Sequence, residues 1–159
     1  MVRMTGGAAI IKSLRKYGIN TIFGVPGVQL DYFFNALYDE RNAIRFIHNR
    51  HEQGSGYMAF GYAASSGKVG AYAVVPGPGL LNSSSALSTA YACNSPVLCI
   101  SGQIPSNRIN RNLGSHHEIN DQLGVLSKLT KWSGRINHPT EAPGIIETAF
   151  QQLRSGRIR

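Results

Sequence analysis

The feature that most constrains this chain is an alternation. Short apolar runs, closed by glycine, proline or polar turns, are separated by stretches of helical periodicity. Thr5 is placed to cap a helix running to about Tyr17, with Ala8, Ala9, Ile11 and Leu14 as its apolar positions and Gly18 as its stop. Thr21–Val25 reads as a strand ended by Pro26-Gly27, Asp31 as the cap of a second helix to about Tyr38, and Ile44–Ile47 as a second strand. A third helix is expected from about Glu52 to Ser65, a third strand over Ala71–Val75, a long helix over roughly Leu81–Cys93, and a fourth strand over Pro96–Ser101. An Asn- and Arg-rich loop spans Ser106–Ser115. A short helix near Asp121–Ser127, a weak fifth strand over Lys131–Ile136, and a last helix from Pro139-Thr140 to about Leu153 complete the pattern.

Strands that are apolar throughout and separated by helices are buried on both faces. The fold class is therefore α/β: a doubly wound parallel sheet with helices on both faces. Right-handed crossovers place every strand-to-helix loop at the carboxyl edge of such a sheet, where ligands bind. The loops Val25–Val28, Asn49–Gln53, Val75–Leu80 and Gly102–Pro105 should converge there.

Composition removes several function classes. At roughly 150 residues per domain, 159 residues make one domain, long enough to bury its own core. Charged residues are 15%, against an average of about 25%, which suggests a surface covered in part by other subunits. The net charge of +8 is evenly spread: 8 Lys+Arg and 4 Asp+Glu fall in residues 1–80, and the same 8 and 4 in residues 81–159. There is no basic block and no interleaving of aromatics with arginine, so the charge reads as solvated surface and no nucleic-acid partner is expected. No apolar run approaches the ~18 residues of a membrane span, and the stretch from Met1 to Gly6 has no signal-peptide core. Cys93 and Cys99 lack CxxC spacing and sit in apolar sequence, which reads as two reduced core thiols in a cytoplasmic protein.

The most informative residue is an isolated acid. Between Glu40 and Glu118 the only carboxylate is Glu52, just past the second strand, at the opening of a helix on the ligand edge. A glutamate there also suits the helix dipole. The small residues that follow, Gly54-Ser55-Gly56, allow a ligand close approach, and apolar loops facing the carboxyl would desolvate it. Gly54-Ser55-Gly56-Tyr57-Met58-Ala59 also fits the G-x-G-x-x-A dinucleotide pattern. The ribose-binding acid expected about 20 residues on is missing, because no Asp or Glu occurs from 53 to 117, and Glu52 would oppose a pyrophosphate.

Five motifs now stand in register: Phe23-Gly24-Val25-Pro26-Gly27, Arg50-His51-Glu52-Gln53-Gly54, Gly61-Tyr62-Ala63, Pro76-Gly77-Pro78-Gly79-Leu80-Leu81-Asn82 and Ser101-Gly102-Gln103-Ile104-Pro105. Together they resemble the amino-terminal, pyrimidine-binding domain of thiamine diphosphate enzymes, closest to acetolactate synthase and related 2-oxoacid decarboxylases and carboligases. The resemblance runs from about residue 4 to 157. It implies that Glu52 hydrogen-bonds N1′ of the cofactor's aminopyrimidine, favouring the imino tautomer that deprotonates the thiazolium to an ylid. The ylid then attacks a 2-oxoacid. The resemblance places Pro26-Gly27-Val28 in the loop over the reacting end, with Val28 where synthases often carry glycine. It places Pro76, Gly79 and Asn82 against the pyrimidine, and Gln103 near the substrate. Turn chemistry for the glycines and prolines, and a capping amide for Gln103, are the plainer readings.

His117-Glu118 stands where the synthases have an aromatic followed by Gln-Glu, so the substrate is not fixed by the resemblance. Surface or structural histidines are the favoured reading here, and because adjacent side chains on one element diverge, His116, His117 and Glu118 do not read as a metal site. The resemblance further implies a strand after residue 157 that completes the sheet. It also implies a diphosphate-binding domain, absent from this chain, that brings magnesium and faces this one from another subunit. The expected assembly is a homodimer or higher oligomer, formed through helices such as 52–65 and 81–93, which are apolar on more than one side. The chain alone should then be inactive as a lyase or transferase. An alternative is a non-catalytic oligomerisation or regulatory module that keeps the fold.

Overall fold

Thr5 opens the first helix through its side chain. In a computed structural model describing residues 3–159, Thr5 Oγ1 accepts a hydrogen bond from Ala8 N at 3.2 Å and starts α1, Gly6–Lys16. Met1 and Val2, the first residues of the stretch read for a signal peptide, lie outside the described residues. Gly18, at φ +87°, turns the chain out of the helix. Ile11 and Leu14 on α1 are fully buried, a contribution of roughly 1.5–3 kcal/mol each.

Four strands follow: β1 Thr21–Gly24, β2 Arg45–His48, β3 Gly70–Val74 and β4 Val97–Ser101. They form one parallel sheet in the order β2-β1-β3-β4. Helices α2 Asp31–Asp39 and α3 Glu52–Ser66 make the first two crossovers, and α4 Pro78–Asn82 with α5 Ser84–Ala92 makes the third. Helices α6 Gln122–Leu129 and α7 Ala142–Arg154 complete the chain. The strand faces alternate as the pleat requires. Ile22, Ala71 and Ala73 point into a core with α1, α2 and α7, whereas Phe23, Tyr72 and Val74 meet Ala59 of α3, Leu80 of α4 and Leu87 of α5. Every residue of β3 is buried, and β2 and β4 are more open because they lie at the edges.

The winding reverses between β1 and β3, since β2 lies on one side of β1 and β3 and β4 on the other. Open α/β sheets bind ligands outside the carboxyl ends of strands at such a switch point. Gly56 shows why α3 is glycine-rich without a dinucleotide: a Cβ there would lie 2.6 Å from Ala86 Cβ of α5.

Several expectations are corrected. The long helix over Leu81–Cys93 is two helices broken at Ser83, whose Oγ donates to Leu80 O at 2.8 Å and meets Tyr72 Oη at 3.0 Å. With its own proton on Leu80 O, Ser83 takes the Tyr72 proton, so the break is pinned to the central strand. Lys131–Ile136 is irregular and not a strand. Lys131 Nζ donates instead to Gln152 O at 2.6 Å, Ser155 O at 2.5 Å and Arg157 O at 3.2 Å, holding the end of α7, and among the described residues the sheet has four strands. Asp31 is the first residue of α2 and caps nothing with its side chain; a 3-10 turn over Val28–Leu30 precedes it. Cys93 is exposed and is not a core thiol. Cys99 is half-buried as a residue, and burial pushes its thiol up to about 12.

Candidate functional site

Glu52 is the first residue of α3, and its position follows from the local sequence. Asn49 N bonds Gly24 O at 2.9 Å as β2 ends, and His51 Nδ1 accepts from Gln53 N at 3.3 Å to cap the helix. The Glu52 side chain is half-buried. Asn82 Nδ2, at the end of α4, donates to Glu52 Oε2 at 3.0 Å. Oε1 has no hydrogen-bond partner among the described residues. It faces Gly79, where a Cβ would come within 3.3 Å of Oε1 and 2.6 Å of Val75 Cγ2. Glycine at 79 therefore leaves the flank of the carboxylate open to a flat ring, and the residues present fit an aminopyrimidine.

The other sequence-predicted residues surround this pair unequally. Gly27, in the loop after β1, lies so close to Val75 that a Cβ would overlap Val75 Cγ1. Val75 thus packs on both Gly27 and Gly79, joining the loops after β1 and β3. Pro76 is buried, and a Cβ at Gly102 would stand 3.0 Å from its Cδ. The loops after β3 and β4 therefore touch. Pro26 and Val28 are exposed, Val28 at the start of the 3-10 turn. Gln103 is half-buried, and its Oε1 accepts from Ile104 N at 2.8 Å, a bond to the next residue that caps no helix. All four expected loops converge at the carboxyl edge.

Three residues of this edge were not found by sequence reasoning. Gln122 is buried at the start of α6. Its Oε1 accepts from Gly77 N at 3.1 Å, and its Nε2 donates to Gly102 O at 2.9 Å and Ser101 Oγ at 3.3 Å. One amide thus ties the Pro76-Gly77 loop to the Ser101-Gly102 loop. Its partners are mostly backbone groups far away in sequence, which no spacing rule reveals. Gln29 is the second: Nε2 donates to His116 O at 3.2 Å, and Oε1 faces His117 Nδ1 at 3.2 Å. His51, the cap of α3, is the third; histidine is not among the residues usually sought at that position. No group of three or more His, Cys, Asp or Glu side chains placed to hold a metal occurs among the described residues. No described helix is long and apolar enough to cross a membrane.

Comparison with known proteins agrees with this geometry. Residues 4–125 match the family described as thiamine pyrophosphate enzyme, N-terminal TPP binding domain. A probable 2-ketoarginine decarboxylase of Pseudomonas aeruginosa is 37% identical over 156 residues, covering 98% of this chain and 28% of the relative. An acetolactate synthase of Arthrospira platensis is 39% identical over 157 residues, covering 98% and 27%. A probable acetolactate synthase large subunit of Methanocaldococcus jannaschii is 38% identical over 154 residues, covering 97% and 25%. The chain thus spans about a quarter of the length of these relatives. With a parallel sheet wound about β1 and β3, a lone glutamate at the switch-point edge, and a match across most of its length, this chain belongs to the family of thiamine pyrophosphate enzyme N-terminal domains.

Proposed function

We propose that this chain holds the aminopyrimidine end of thiamine diphosphate and serves as the amino-terminal part of an acetolactate synthase-like lyase or transferase acting on 2-oxoacids. The observation that carries the reading is the Glu52–Asn82 pair facing Gly79. Asn82 occupies Oε2, which leaves Oε1 to share a proton with a ring nitrogen of the ligand. Gly79 and Pro76 floor the ring. Pro26, Gly27 and Val28 form the loop above the reacting end, and the Gln103 amide nitrogen is left to a substrate oxygen. When bound, thiamine diphosphate supplies a thiazolium that accepts the electrons released with carbon dioxide.

The diphosphate and its magnesium are held, in this reading, by a second domain or subunit in a cytoplasmic enzyme. A homodimer suits the apolar side chains exposed on α3, α4 and α5, namely Tyr57, Met58, Leu81 and Tyr91. The rival reading, a non-catalytic oligomerisation or regulatory module, uses the same face and needs no cofactor.

Calorimetry with thiamine diphosphate and magnesium separates the two. The expected result is weak binding to the chain alone and tight binding once a diphosphate-binding half is added, with Glu52→Gln weakening the latter. If the added half produces no binding that Glu52→Gln alters, the catalytic reading fails. The chain alone should release no carbon dioxide from pyruvate, and turnover by it would contradict the half-site argument. A sharp monomer at micromolar concentration in ultracentrifugation would contradict the dimer.

A further inference from the structure

Glu52 stands on the first residue of α3, a place where a helix holds itself poorly. The first four N–H groups of a helix have no partner within it, and such ends fray. Here the closing bonds are long: Gln53 N reaches the His51 cap at 3.3 Å, and Ser55 N reaches His51 O at 3.4 Å. Left to these two, the first turn would drift and carry the Glu52 carboxyl with it.

A third bond spans the turn from outside. Asn49 Nδ2 donates to Ser55 Oγ at 3.0 Å, bridging residues 50–54. Both ends of the bridge are fastened. Asn49 N is bonded to Gly24 O, which ties it to β1. Ser55 is fully buried, and Gly56 beside it packs so closely on α5 that a Cβ would stand 2.6 Å from Ala86 Cβ. The Asn49 amide passes along Gly54, where a Cβ would sit 3.6 Å from Asn49 Oδ1. The sheet thus holds one end of the turn, and the contact of α3 with α5 holds the other.

The serine itself points to this bond. A hydroxyl without exposure is costly unless it is hydrogen-bonded, and alanine would fill the same space with no polar atom to satisfy. Asn49 is the hydrogen-bond partner of the Ser55 hydroxyl among the described residues, and the two flank Glu52 in the chain.

We propose that Asn49 and Ser55 are positioning residues for Glu52: their hydrogen bond holds the first turn of α3 so that Oε2 stays on Asn82 and Oε1 faces the space beside Gly79. The proposal rests on the thiamine diphosphate reading of the site. Neither side chain is hydrogen-bonded to the carboxylate among the described residues, so both act on it through the backbone between them. Proton sharing needs heavy atoms about 2.6–3.2 Å apart, and an ångström of drift in the first turn takes Oε1 out of that range.

Two measurements test this. In the chain, Asn49→Ala should speed exchange of the Ser55 amide hydrogen by about 2- to 13-fold, the loss of one net hydrogen bond. An unchanged rate overturns the bridge. The second measurement separates positioning from packing. In the complex with a diphosphate-binding half, at saturating thiamine diphosphate, Ser55→Ala should keep the fold and lower kcat with a 2-oxoacid by up to about 10²-fold, the cost of an ångström's misplacement. KM should stay at the parent value, because no substrate contact is removed. Asn49→Ala should lower kcat equally, and the double variant should be no slower than either single one, since both act through one bond. A parent kcat in Ser55→Ala, or additive losses in the double variant, overturns the positioning role. Glu52→Gln in the same assay reports on the underlying reading. If Glu52→Gln leaves turnover intact, the cofactor reading fails and takes this proposal with it. If Glu52→Gln abolishes turnover while Ser55→Ala keeps the parent kcat, the positioning proposal alone is refuted.

Discussion

Gln122 offers the sharpest test of how the edge is held together. Gln122→Leu keeps the side chain's bulk and removes its amide. The Gly77 N–H then loses its partner in a buried setting, at about 1–3 kcal/mol. The Gly102 carbonyl loses one of two donors, because Ser101 Oγ still reaches it at 3.1 Å, so only the net value of one bond is lost, about 0.5–1.5 kcal/mol. The sum is about 2–4 kcal/mol, against a total stability of about 5–15 kcal/mol. At roughly 2–4 °C per kcal/mol for a chain of this size, the melting temperature should fall by about 4–16 °C in calorimetry. Exchange of the Gly77 amide hydrogen should accelerate with it.

Gln122→Glu sharpens the test. The carboxylate keeps the acceptor for Gly77 and turns a charge on the Gly102 carbonyl, while the protonated form donates as the amide did. Its folded pKa is therefore raised above the unfolded value of about 4.3. Its stability contribution is full below the unfolded pKa and is lost as pH rises through the folded one. The deficit against the parent chain should be small near about pH 4 and grow toward neutrality. A Gln122→Leu melting temperature within about 2 °C of the parent, with unchanged Gly77 exchange, would refute the tie between the two loops.

Gly79→Ala should disturb both stability and ligand binding, because the new methyl meets Val75 at 2.6 Å and Glu52 Oε1 at 3.3 Å. A cost of about 1–3 kcal/mol is expected in urea unfolding, with a weakened response to thiamine diphosphate in the assembled complex. Thiol titration should find one fast and one slow cysteine: Cys93 is exposed, whereas burial keeps Cys99 protonated with its thiol near 12. Equal reaction rates in the native state would contradict that assignment.

The layers of the fold were legible because their signals are local. The apolar runs at Thr21, Ile44, Ala71 and Pro96 and the cap at Thr5 each depend on neighbours a few residues away. Glu52 stood out for a similar reason, as one acid in a long stretch without others. What misled was context at a distance. Nothing around Ser83 announces a helix break, since the group that its hydroxyl meets there is Tyr72, distant on β3. Lys131–Ile136 reads as a weak strand, but a strand requires a partner edge, and Lys131 is engaged by the carbonyls at the end of α7 instead. Gln122 and Gln29 were invisible because an amide that bridges distant loops leaves no periodic trace.

The break at Ser83 separates two kinds of evolutionary change. Asn82, which holds Glu52, sits on a short helix fastened to the sheet's central strand through Ser83 and Tyr72. Helix α5 begins afresh beyond it and carries the exposed Tyr91. Were the two one rigid rod, each drift in the outer surface of α5 would swing Asn82 and retune the carboxylate. As built, the lineage is free to remodel that surface and the neighbours it meets, while the acid at the switch point keeps its setting.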